Sequence, residues 1–180
     1  MMVSLDGFFE GEDHDLSWHN VDSEFNNFAV KQLDETDTLV FDGRTYQMMA
    51  DFWLSDIARK TDPQTATRMN KLHKIVFSRT LHEAGWNNTE LHKDNVVSVI
   101  RAVKSKLGND IAVLGSSNLS LTLIKEKLLD EIRIMVNPVV LGQGKLLFSG
   151  INMSIELKLT DERAFESGNV LLTYKLLNNP

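Results

Sequence analysis

Three short apolar runs constrain the fold of this chain more than any other feature: "TLVF" at 38–41, "HKIVFS" at 73–78 and "IAVLG" at 111–115. Each is too short for a helix and lacks the polar–apolar alternation of a half-exposed strand, so each reads as a strand buried on both faces. Helical patterns separate them. "RTYQMMADFW" follows the first run, and "DNVVSVIRAVKSKLG" lies between the last two. In the latter, Val96, Ile100, Val103 and Leu107 recur at helical spacing, with Asp94 as the expected N-cap and Gly108 as the expected stop. Buried strands alternating with helices predict the centre of a sheet built from parallel crossovers.

The rhythm changes in the last third. Ile132, Ile134 and Val136 alternate with Arg133, Met135 and Asn137, the period of a strand. Met153, Ile155, Leu157 and Leu159 repeat it, as do Val170, Leu172, Tyr174 and Leu176. A set of antiparallel strands added after the α/β part is expected, with the 180 residues forming a single domain, 1–180.

Charge and composition narrow the function classes. A net charge of −6, with 19 scattered Lys and Arg, argues against nucleic acid and anionic membranes as partners. A small anionic ligand remains compatible, because helix N-termini and single arginines hold anions whatever the overall sign. With no cysteine there is no thiolate metal site or disulfide frame, and a cytoplasmic protein is expected. The acidic loop Glu10, Glu12, Asp13, His14, Asp15 lacks the spacing of a metal site and reads as solvated. His19, His73, His82 and His92 form no ligand set, and the "LGQGKLLF" glycines, Gly142 and Gly144, read as a turn.

Two strand-to-helix turns remain, "DGRTY" at 42–46 and "GSSNL" at 115–119. The first N–H groups of a helix are unpaired, glycine admits a ligand to the backbone, and Ser or Thr adds a donor. Each turn is therefore either a capping turn or a seat for phosphate. In open α/β sheets ligands sit outside the carboxyl ends of the strands, where two such turns can flank a pyrophosphate.

The blocks "SLDGFFEGEDHDLSW", "TYQMMADFW", "HKIVFSRTL", "IAVLGSSNL" and "LLDEIRIMVNPVVLGQGKLLF" resemble, in order and approximate spacing, bacterial dihydrofolate-reductase-like proteins related to the reductase domain of riboflavin biosynthesis. The resemblance runs from about Val3 to about Phe148. It implies a three-layer α/β fold, with a central mixed, mostly parallel sheet, helices on both faces and antiparallel C-terminal strands. It also implies NADPH as cofactor and an oxidoreductase that passes a hydride to a small pterin-like or pyrimidine-like substrate. Two departures stand out. The chain has Asp42-Gly43-Arg44-Thr45-Tyr46 where the family has Gly-Arg-x-Thr-Tyr, and a carboxylate beside a phosphate is unfavourable unless it turns away. It also begins almost at "SLDG", where relatives have more of a first strand.

By this resemblance Leu114, Gly115, Ser116, Ser117 and Asn118 hold the pyrophosphate and ribose, together with Gly43, Arg44 and Thr45. Asp6 and Gly7 open a loop over the nicotinamide, or else form an ordinary turn. Arg79 follows a strand end and is placed to pair with the adenosine 2′-phosphate, with Ser78 and Thr80 as extra donors, or else is a solvated arginine. Trp18, Met48, Met49 and Trp53 line a substrate pocket or are plain core. Glu131 is the candidate proton donor, or else a charged strand entry. The alternative to a reductase is an NADP-binding protein without redox activity, and a weaker one is a purely structural domain. The alternating C-terminal strands suggest a homodimer.

Overall fold

The computed structural model describes residues 1–115 and 117–177. In chain order the elements are β1 (Met2–Ser4), β2 (Phe8–Glu10), a 3-10 turn (Glu12–His14), α1 (Ser23–Asp34), β3 (Thr36–Asp42), α2 (Gly43–Trp53), α3 (Asp56–Thr61), α4 (Pro63–Lys71) and β4 (His73–Phe77). There follow β5 (Thr89–His92), α5 (Val96–Lys104), β6 (Asp110–Val113), α6 (Ser117–Lys125), β7 (Glu131–Asn137), β8 (Lys145–Leu146), β9 (Leu157–Ala164) and β10 (Val170–Leu176). They form two compact units, one from Met1–Phe25 with the chain from Leu121 onward, the other Asn26–Ser120.

The Asn26–Ser120 unit holds the three apolar runs. They are β3, β4 and β6 of an all-parallel sheet in the order β5-β4-β3-β6. Leu39, Val40, Phe41, Ile75 and Val76 are wholly buried, as strands covered on both faces require. Leu39, Phe41, Tyr46, Met69, Val76 and Trp86 belong to one core cluster. Within it the rings of Phe41, Tyr46 and Trp86 lie 5.9 to 6.3 Å apart in tilted and edge-on arrangements.

Local chemistry sets the helix starts. Ser55 Oγ accepts from the N–H of Ala58 at 3.1 Å to cap α3, and Asp62 caps α4 with Pro63 in the first turn. α5 departs from expectation at both ends. It begins after Asn95, which has a left-handed φ of 66°, so Asp94 is not its cap, and it ends at Lys104, before Leu107 and Gly108. Leu107 is fully exposed, so the helical spacing continues in sequence past the point where core is available to receive it.

The other unit carries a sheet in the order β1-β7-β10-β9, with β1 parallel to β7 and the remaining pairs antiparallel. β7 is an inner strand. Met135 and Asn137, on the face read from the sequence as polar, are therefore as buried as Ile132 on the other. Asn137 is satisfied there: its side-chain oxygen accepts from the N–H of Asn20 at 2.9 Å, and its amide donates to carbonyls of Val3 and Met135. The second alternating run starts as a strand only at Leu157, four residues after Met153. A two-stranded pair, β2 with β8, completes the unit.

The α/β class expected from the sequence is borne out, as a helix-flanked parallel sheet and antiparallel C-terminal strands. Among the described residues no helix is long and apolar enough to cross a membrane.

Candidate cofactor-binding site

Within the Asn26–Ser120 unit, the carboxyl ends of the parallel strands bring the predicted turns side by side. β3 and β6 are neighbours, and the N–H of Leu114 donates to the carbonyl of Val40 at 3.1 Å, extending the pairing to the start of the second turn. Gly115 then adopts a φ of +102°, in the region that favours glycine. A Cβ there would also lie 3.3 Å from Cγ2 and 3.4 Å from Oγ1 of Thr45. Gly115 thus lies against Thr45 of the first turn; its backbone favours glycine, and a side chain there would press on Thr45. Ser116 lies outside the described residues. Ser117 and Asn118 open α6, with Asn118 exposed.

Ser78 brings in β4 from the other side of β3. A Cβ on Gly43 would run into Ser78 Oγ and lie 2.7 Å from Ser78 Cβ, so glycine is what lets these two strand ends close up. Ser78 Oγ accepts from the N–H groups of Leu81 at 3.1 Å and Thr80 at 3.3 Å, and lies 3.3 Å from the Thr80 hydroxyl. The serine therefore fixes the 78–81 turn at the end of β4.

Asp42 resolves one of the two sequence departures. Its carboxylate turns back onto α2 and accepts from the N–H of Thr45 at 2.8 Å, an N-cap. It thereby occupies an N–H that a phosphate at this turn would use, and places negative charge at the helix start. Arg44, one residue past the first helical position, is exposed.

Arg79 is held by a partner the sequence did not suggest. Its Nε and Nη2 donate to Asp94 Oδ1 at 3.0 and 2.8 Å. The cause is register: Phe77 pairs with His92, and two residues further along each parallel strand stand Arg79 and Asp94. Asp94 had been legible only as a cap.

The remaining candidates on α2 divide by exposure. Met48 is exposed, whereas Met49 and Trp53 are partly buried against the core cluster, with the indole N–H of Trp53 3.3 Å from the Met49 sulfur.

Asp6, Gly7, Trp18 and Glu131 belong to the other unit. Asp6 accepts from the Ser4 hydroxyl at 2.6 Å and from the N–H groups of Gly142 and Leu141 at 2.8 and 3.2 Å, and the Ser4 bond leads in holding its carboxyl down at about 2. It ties the β1–β2 turn, where Gly7 has a φ of +88°, to the loop after β7. Trp18 donates its indole N–H to the carbonyl of Asp15 and meets the His19 ring edge-on at 4.4 Å. Glu131 accepts from Arg133 Nε at 2.7 Å, with each side chain about one-third exposed. In the acidic loop Glu10 is the exception to solvation: it is buried and pairs with His14 and, at 2.9 Å, with Lys145 Nζ.

The fold of this chain matches solved structures of dihydrofolate-reductase-like, three-layer α/β architecture. A putative riboflavin biosynthesis protein from Shewanella sp. PV-4 aligns with a TM-score of 0.75 at 24% identity, over 98% of this chain and 96% of that one. A diaminohydroxyphosphoribosylaminopyrimidine deaminase/5-amino-6-(5-phosphoribosylamino)uracil reductase from Thermotoga maritima aligns with a TM-score of 0.69 at 13% identity, over 98% of this chain but 55% of the larger protein. In sequence, the chain is 34% identical to the uncharacterized protein YyaP of Bacillus subtilis (strain 168), over 97% of this chain and 91% of that protein. The chain belongs to the RibD C-terminal domain family, whose model matches residues 1–172. Membership in this reductase-related family supports a reductase-like enzymatic function in general terms.

Proposed function

We propose that the protein is an NADPH-dependent reductase that transfers a hydride to a small pterin-like or pyrimidine-like substrate. What carries the reading is the row of chemistry at the carboxyl edge of the parallel sheet: Arg79 and Ser78 after β4, Gly43 and Thr45 after β3, and Gly115 with Ser117 after β6. Crossing from β6 to β4 takes two strand spacings, about 10 Å. That matches the reach from the pyrophosphate of a dinucleotide to its adenosine 2′-phosphate.

The residues present fit such a group in part. The β6–α6 turn offers a positive-φ glycine and a helix start for the pyrophosphate, with the Thr45 hydroxyl beside it. Arg79 supplies a guanidinium for the 2′-phosphate. The β3–α2 turn fits less well, because Asp42 caps its helix; phosphate contact on this side falls to Thr45 and Arg44 side chains and not to the Thr45 N–H. The bound cofactor supplies the hydride, while this chain's task is to hold the anionic groups and exclude water. The likeness to the putative Shewanella riboflavin biosynthesis protein and to the Thermotoga deaminase/5-amino-6-(5-phosphoribosylamino)uracil reductase favours a substrate of the pyrimidine type. We also propose that the chain acts as a homodimer, supported by β9 standing at the end of its sheet with Leu159 exposed.

Calorimetric titration tests the cofactor. The expected result is NADPH binding at least several-fold tighter than NADH, with Arg79→Ala removing most of the preference, since a charge-assisted contact is worth roughly 1.5 to 3 kcal/mol. Equal affinities for the two cofactors overturn the assignment of Arg79. No binding of either overturns the reductase reading.

A further inference from the structure

The pair formed by Arg79 and Asp94 has a consequence for cofactor choice. Both side chains are exposed, 82% and 59%, and a solvent-screened pair of this kind contributes little to stability. Yet its geometry is specific. Two nitrogens of the guanidinium converge on one carboxylate oxygen, and the parallel register that sets Phe77 opposite His92 brings the pair together at the end of β4 and β5. The N–H of Ser78 donates to the carbonyl of His92 at 2.9 Å, which carries the strand pairing to the residue just before Arg79. Backbone pairing thus holds the chain up to the residue before Arg79 and to two residues before Asp94.

We propose that Asp94 is a specificity-determining residue, an internal competitor for the guanidinium that would receive the adenosine 2′-phosphate, and that it restrains the preference for phosphorylated over unphosphorylated dinucleotide. The inference rests on the cofactor reading above. A dianionic 2′-phosphate can draw Arg79 from Asp94, because a charge-assisted phosphate contact exceeds an exposed ion pair. The displaced carboxylate then stays within a few ångströms of the phosphate, and like charges at that distance repel. An unphosphorylated ribose meets neither cost, and a carboxylate accepts from its 2′-hydroxyl. Asp94 therefore acts against one ligand and not the other, which is how a site sets a difference of affinities.

Adenosine 2′,5′-bisphosphate and adenosine 5′-monophosphate isolate this corner of the site, because they differ only in the 2′-phosphate. In Asp94→Asn the bisphosphate is expected to bind about tenfold tighter than to the parent, with the monophosphate within twofold. In the Arg79→Ala background the same Asp94→Asn change is expected to gain twofold or less, since no guanidinium remains to be released. An unchanged ratio of the two affinities in Asp94→Asn, a loss of bisphosphate affinity, or a full tenfold gain without Arg79 each overturns the proposal while leaving the cofactor reading intact. A parent protein that binds neither adenylate nor NADPH overturns both. Asp94→Ser, which removes the charge with a smaller side chain, must reproduce the Asn result.

Discussion

Replacing Lys74 tests how this unit tolerates a buried cation on the strand that delivers Ser78 and Arg79. Lys74 is wholly buried in β4, and among the described residues its ammonium has no carboxylate partner. Its Nζ donates to the carbonyls of Leu72 at 2.7 Å, Asn87 at 3.2 Å and Asn70 at 3.4 Å, and lies 4.5 Å from the centre of the Trp86 ring. Carbonyl dipoles and a ring face replace water only in part, and desolvation pushes the amine from 10.5 down to about 8. Between those two values the unfolded chain keeps a proton that the folded protein has released. Stability contributed by this group therefore rises with pH across the window from about 8 to 10.5 and is flat below it. The gap corresponds to roughly 3 kcal/mol at full amplitude. Lys74→Met keeps a long apolar stem and abolishes the titration. Urea unfolding of both proteins at pH 7, 8.5 and 10.5, read as free energies with m-values compared, isolates the lysine, because every other alkaline titration cancels in the difference. The parent is expected to gain about 2 to 3 kcal/mol on the variant between pH 7 and 10.5. A difference that stays constant, or one that moves towards the variant as pH rises, refutes the reasoning.

Glu131→Gln keeps shape and the bond from Arg133 while removing the charge; if Glu131 serves substrate, turnover falls roughly a hundredfold with NADPH affinity unchanged, followed as NADPH oxidation across pterins and pyrimidines. Loss of cofactor affinity or of fold in that variant assigns Glu131 to structure instead. Light scattering coupled to size exclusion is expected to give twice the 20.4 kDa chain mass, and Leu159→Lys on the end strand to shift the protein towards the monomer. A parent that runs at the single-chain mass at micromolar concentration refutes the dimer.

Much of the architecture was present in the amino-acid order, because it depends on short-range pattern. The runs at 38–41, 73–78 and 111–115 became β3, β4 and β6, and the alternating stretches from 132 and 170 became β7 and β10. Gly43 and Gly115, placed after apolar runs, marked where β3 and β6 give way to helices. What the pattern could not convey is register between segments far apart in the chain. β5 is four residues with weak alternation, so nothing local announces it, yet its pairing with β4 alone decides that Asp94 meets Arg79. Likewise Asp42 and Asp94 look equally suited to capping, and only the backbone that each strand end adopts sends one onto the Thr45 N–H and the other onto a guanidinium. Lys74 sits in an apolar run with nothing to reveal that Leu72, Asn87 and Trp86 would close over it. Sequence settles which segments become strands and helices because burial of an apolar face is a local demand. Which charged groups face each other is settled by the tertiary structure, because a hydrogen bond needs two atoms within about 3 Å and only the assembled sheet fixes that distance.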